Sequence, residues 1–182
     1  MADKHINHKW FRIVFRLFIS SCLFSTACES VNKAPSETKS VSKPNQEIHT
    51  AAETIFLSDL TKILQKVRLL EQEIDIATSK KTMDHESFSS LFNTVVYPRL
   101  LSCIKMTKKL HPVTPTQVTV HQNILSYLEL RKTAATVVRE SSAKDPNWLK
   151  PFNAHLDEAE KIALQLRKNI AKARTENANQ TN

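Results

Sequence analysis

Seven histidines and three cysteines are the side chains in this sequence best suited to bind a metal or supply a strong nucleophile. Two ligands on one helix reach the same ion when they stand three or four residues apart, as in Glu-x-x-His or His-Glu-x-x-His. Neither spacing occurs, nor does the Cys-x-x-Cys-His that attaches haem covalently. His121 and His155 lie on the apolar sides of the third and fourth predicted helices, which makes them the candidate metal pair. Single histidines on such faces more often hydrogen-bond at the core boundary, so no cofactor is expected. For acyl transfer the requirements are a nucleophile, a base and oxyanion donors, usually presented by a glycine-containing loop. The chain contains no glycine at all. Cys103 and His111, eight residues apart on one predicted helix, would be separated by about 12 Å of rise, too far for a nucleophile and base. The chain is therefore expected not to be an enzyme.

The most specific chemistry lies near the start. Lys4, Lys9, Arg12 and Arg16 precede the apolar run Leu17-Phe18-Ile19-Ser20-Ser21-Cys22-Leu23-Phe24, and Ser25-Thr26-Ala27 leads into Cys28. A basic start, a short apolar middle and small residues at the exit form the layout of a secretion signal. A permanent membrane helix over residues 10–27 would enclose Arg12 and Arg16, each costing roughly 2.5–3.5 kcal/mol near the bilayer centre. Ser25-Thr26-Ala27-Cys28 resembles the lipobox of bacterial lipoproteins. That resemblance implies a diacylglycerol thioether on Cys28 and cleavage just before it. Ser25 stands where the family pattern favours an aliphatic residue. Ile19-Ser20-Ser21-Cys22 meets that rule, so Cys22 is the alternative, although cleavage there leaves a core of only about five apolar residues after Arg16. Ordinary cleavage after Ala27, giving a secreted or periplasmic soluble product, is a further alternative. In bacteria with two membranes the family's sorting rule retains lipoproteins with aspartate after the cysteine in the inner membrane. Glu29 in that place points to the outer membrane.

The elements that carry these residues follow from composition and periodicity. A hydrophobic content of 41% over 182 residues suffices for one domain with a core. The lack of glycine argues against tight hairpins and phosphate-cradling loops, and so against sheet-rich and nucleotide-binding folds. Residues 28–45 are polar, contain Pro35 and Pro44, and read as a flexible tether following a signal peptide over 1–27. Residues 46–175 read as an all-α domain, and 176–182 as a disordered tail.

Four apolar stripes at helical spacing divide that domain. The first runs Phe56, Leu60, Ile63, Val67, Leu70, Ile74, Ala77. A second follows Asp84 as N-cap, through Phe88, Leu91, Phe92, Val95, Leu101 and Ile104, with a kink at Pro98. The third starts at Thr114-Pro115-Thr116-Gln117, a capping box with Val113 placed to staple onto Val118, and continues through Ile124, Leu128, Ala135 and Val138. The fourth opens near Pro146 or Pro151 and runs Phe152, Leu156, Ala159, Ala163, Leu166, Ile170, Ala173. Short connections between such helices imply an antiparallel bundle. Cys103 among Leu100, Leu101 and Ile104 reads as a small buried apolar residue. Trp148 reads as a lid on the core, with a ligand groove beside Tyr97-Pro98 as the other possibility.

The net charge of +8 falls to +5 once the segment before Cys28 is set aside, a modest excess suited to a solvated surface or to anionic lipid and cell-wall phosphate. The sequence thus reads as a membrane-anchored envelope lipoprotein whose helices bind a protein or envelope polymer, with no nucleic acid expected. A periplasmic metal- or small-ligand-binding bundle using His121 and His155, and a secreted basic protein acting on anionic surfaces, are the competing readings.

Overall fold

A computed structural model of the chain describes residues 44–79, 84–142 and 146–180, with side chains over 51–76, 84–142 and 147–178. That part is 91% helical, with four helices and no strand, and forms an all-α bundle. Helix α1 covers Pro44–Ser79. Helix α2 has three parts, His85–Leu91, a π turn Phe92–Val96, and Tyr97–Thr107. Helix α3 covers Pro115–Glu140. A 3-10 turn Pro146–Trp148 leads into α4, Leu149–Gln180. Both proline readings of the fourth start therefore have a counterpart, since the chain turns at Pro146 and Pro151 sits in the first turn, where its missing N–H is harmless.

Cross-helix contacts set direction and level. Arg99 on α2 pairs with Glu73 on α1. Lys108, which caps α2, reaches Glu129 on α3 at 3.9 Å. Thr116 Oγ1 on α3 donates to Glu176 on α4 at 3.0 Å. Consecutive helices are therefore antiparallel, in the up-down-up-down order that short connections favour. Packing neighbours run α1–α2, α2–α3, α3–α4 and α4–α1, which leaves α1 and α3 parallel across the diagonal.

The expected stripes of α1, α3 and α4 are buried from Phe56 to Ile74, at Ile124, Leu128, Ala135 and Val138, and at every residue named on α4. The side chain of Ala77 lies outside the described residues. On α2 the expected stripe needs correction, because Leu101 is 42% exposed while Val96, Leu100, Cys103 and Thr107 face inward with Phe88, Phe92 and Ile104. The cause is the turn before Pro98. A proline in mid-helix clashes with the carbonyl four residues back. Here the wider turn, in which Tyr97 N–H donates to Phe92 O, makes room for it and shifts the register of everything after it.

Both predicted N-caps form. Asp84 accepts from Ser87 N–H at 2.7 Å, and Thr114 Oγ1 accepts from Gln117 N–H at 3.1 Å. Gln117 Oε1 returns a bond to Val113 N–H at 3.0 Å, one residue before the cap itself. The staple does not bury its residues, since Val113 and Val118 stay 38% and 40% exposed. At the C-terminus α4 runs to Gln180, beyond the boundary expected at 175, because Glu176 is held by Thr116 and lies near Lys172. Among the described residues no helix is long and apolar enough to cross a membrane.

Candidate functional site

One buried polar cluster lies where α1 faces α3. Tyr127 and Arg131 are four residues apart on α3, hence on one face. Tyr127 Oη donates to Glu71 Oε1 at 2.7 Å, and Arg131 donates to the same oxygen at 3.0 Å. The Glu71 and Arg131 side chains are only 10% and 12% exposed, and the Arg131 guanidinium sits 5.4 Å from the Tyr127 ring centre. Burial pushes the Tyr127 hydroxyl well above its ordinary range, with the Arg131 charge opposing and the Glu71 carboxylate reinforcing the shift. The phenol therefore stays protonated and acts as a donor. Glu71 and Arg131 line a cavity of about 20 Å³ together with apolar residues that include Val67, Phe92 and Phe152. That is room for about one water, far below the roughly 300–1,000 Å³ of a small-molecule site. The cluster is suited to locking two helices, and it presents no free nucleophile or acid to a substrate.

A second cluster closes the end of the bundle where α1 and α3 finish and α2 and α4 begin. His85 Nε2 lies 2.8 Å from Ser141 Oγ, and Trp148 packs edge-on to His85 with ring centres 5.6 Å apart. Trp148 also meets Phe88 and Phe152 at 5.9 and 5.8 Å, and Phe88 meets Phe92 at 4.6 Å. Trp148 is thus the lid on an aromatic end of the core. Tyr97 lines no groove, because the Arg139 guanidinium covers its ring at 3.8 Å while Arg139 Nε donates to Asn93 at 2.7 Å.

The serine and histidine of this cluster have the separation of a nucleophile and its base but the wrong proton order. Ser141 Oγ donates its single proton to Val138 O at 2.6 Å, so His85 must supply the proton in the contact between them. Ser141 also caps the C-terminus of α3, where exposed carbonyls favour a cation and oppose a developing oxyanion. The pair works as a latch between α2 and α3. Sequence spacing could not link residues 56 positions apart. Their shared place at helix ends, one after the Asp84 cap and one after Arg139-Glu140, was the available signal.

His121 and His155 are not brought together. The Thr116–Glu176 bond places His121 level with about residue 171 of α4, so His155 lies roughly sixteen residues, or about 24 Å, further along the axis. His121 Nε2 contacts Thr107 O at 2.9 Å, satisfying a carbonyl at the end of α2. His155 is half-buried on α4. Among the described residues no group of three or more His, Cys, Asp or Glu is placed to hold a metal.

Cys103 is a buried free thiol whose pKa is raised by desolvation, with Lys66 opposing, which makes it a packing residue of low reactivity. His111 is exposed beyond the end of α2. Cys28 and Cys22, the expected lipidation sites, lie outside the described residues. Comparison of the chain with protein-family models, with curated proteins and with solved structures finds no match.

Proposed function

We propose that the chain is a lipid-anchored protein of the bacterial envelope, a non-enzymatic lipoprotein whose helical bundle binds a protein or envelope polymer beside the membrane. The observation that carries this reading is the N-terminal order of residues: four bases, an apolar run of about eight, then Ser25-Thr26-Ala27-Cys28. The polar residues 29–43 separate that cysteine from α1, which fits a body held off the anchor by a spacer. The buried clusters add weight to a binding role over catalysis, since Glu71, Tyr127 and Arg131 are occupied with one another and Ser141 is not set up as a nucleophile.

The test is fatty-acid labelling of cells that produce the full chain, with mass spectrometry of the mature N-terminus. Acylation lost in Cys28→Ala and kept in Cys22→Ala supports the assignment. The reverse pattern moves the anchor to Cys22. An unmodified thiol on a product cleaved after Ala27, or an intact leader, overturns the lipoprotein reading.

A further inference from the structure

The basic excess of the bundle is not spread evenly along its axis. A plane across the middle, at the level of Glu71 and Arg131, divides it into two halves. The half containing the start of α1 comprises residues 44–69, 103–127 and 165–180. It holds ten lysines and arginines against four carboxylates, a net charge of +6. The other half, counted over the described residues 70–79, 84–102, 128–142 and 146–164, holds six against ten, a net charge of −4. The up-down order creates this separation, because the end of α2 with Lys105, Lys108 and Lys109 comes level with the last turns of α4 carrying Lys168, Lys172 and Arg174. Lys105, Lys109, Lys168 and Arg174 are exposed, and among the described residues none of them meets a carboxylate at ion-pair distance.

Helix α1 begins at this basic end, and fifteen residues, at most about 50 Å of extended chain, separate it from Cys28. We infer that the basic half of the bundle is a docking surface for the anionic phospholipid bilayer into which the chain is anchored, orienting the acidic half away from the membrane. The inference rests on the lipid-anchor reading for which end faces the bilayer. Its warrant is charge complementarity: basic residues near an anionic surface each strengthen attachment about five-fold at physiological salt, and the effect decays within a Debye length of about 8 Å. A neutral or acidic end at the anchor would give no such attraction. The present arrangement shortens the reach of the acidic end toward the membrane and leaves it free for a partner.

The experiment uses the full chain and sedimentation with phosphatidylcholine vesicles, either alone or with about three-tenths phosphatidylglycerol, a fraction that supplies a negative surface potential. Two variants change net charge equally, each by two units. Lys105→Gln with Lys109→Gln alters the basic end, whereas Lys150→Glu alters the α3–α4 end, about 30 Å away along the axis. The wild type should partition more strongly into anionic than neutral vesicles, with the preference falling steeply as salt rises. The first variant should lose at least about 25-fold of that preference, and the second less than about three-fold.

Equal losses from the two variants would show that net charge alone matters and would overturn the proposal, as would equal partition into both vesicle types. End-specific binding to double-stranded DNA without any preference for anionic vesicles would overturn it in favour of nucleic acid. The anchor is judged separately from the mass of the mature N-terminal cysteine, so a failed lipidation assay and a failed docking assay are distinguishable.

Discussion

Replacing Glu71 with leucine gives a direct measure of how the bundle is held across its diagonal. The substitution removes the carboxylate that accepts from both Arg131 and Tyr127, in a place where the Arg131 side chain is 12% exposed and the phenol hydroxyl is buried. Breaking a buried ion pair by deleting one partner typically costs about 3–5 kcal/mol. The residual exposure of Arg131 and the neighbouring room for a water place the expected loss near the lower figure, about 3 kcal/mol. Glu71→Leu with Arg131→Met removes both charges and leaves only the phenol unsatisfied, so the loss should shrink to about 1–3 kcal/mol. Adding Tyr127→Phe removes the last orphan and should bring the triple variant close to the wild type, since well-packed apolar replacements of buried pairs are often neutral or stabilising. Urea unfolding followed by far-ultraviolet circular dichroism measures each step, provided the m-value stays constant. A Glu71→Leu cost under about 1 kcal/mol, or a triple variant weaker than the single one, would refute the claim that these groups are desolvated partners.

The pH dependence of Tyr127 has a defined sign. Its folded pKa lies above the unfolded value of about 10, so its contribution is fully present below pH 10 and is lost as pH climbs beyond it; stability measured from pH 9 to 12 should fall less steeply in Tyr127→Phe than in the wild type. Thr114→Ala removes the oxygen that receives Gln117 N–H and should cost about 1 kcal/mol in urea unfolding, with Thr114→Ser restoring most of it. Phe152→Ala empties the junction between the aromatic end and the core, and a loss of about 3–5 kcal/mol is expected by the same assay. Cys103 should react with a thiol reagent in denaturant and resist it in the native fold, because its thiolate is disfavoured by burial; native labelling as fast as that of the unfolded chain would contradict the packing shown.

What could be read from the residues beforehand was whatever depends on local spacing. The caps at Asp84 and Thr114 need only a side-chain oxygen three residues before an N–H, and the seven inward residues of α4 need only alternating steps of four and three. The α2 stripe failed at Leu101 because spacing assumes a uniform helix, and Pro98 replaces one turn of it with a wider one. Glu71 was illegible for a different reason. It sits beside the α1 stripe among five other charged or amide side chains from Lys66 to Asp75, and nothing in α1 marks it as the inward one. Only the level of α3 against α1 selects Glu71 over Glu73, which instead meets Arg99. The same limit applies to His121 and His155, whose shared apolar sides were readable and whose axial separation was not.

That selection bears on orientation as well as stability. Apolar stripes tolerate a helix sliding by one turn or reversing, because leucine, isoleucine and valine exchange contacts at small cost. A buried carboxylate does not. Sliding α1 by one turn, about 5.4 Å, would withdraw Glu71 from both its donors and break a buried ion pair in a low-dielectric interior. Reversing α1 would in addition carry its N-terminus to the acidic half of the bundle. The Glu71, Tyr127 and Arg131 cluster therefore fixes the level of α1, and the Glu73–Arg99 pair supports the same register from the α2 side. Through that register it fixes which charged end the N-terminal segment leaves from. A variant with an apolar diagonal can match the wild type in stability and still lose its single α1 register, a difference that end-specific vesicle binding would report and urea unfolding would not.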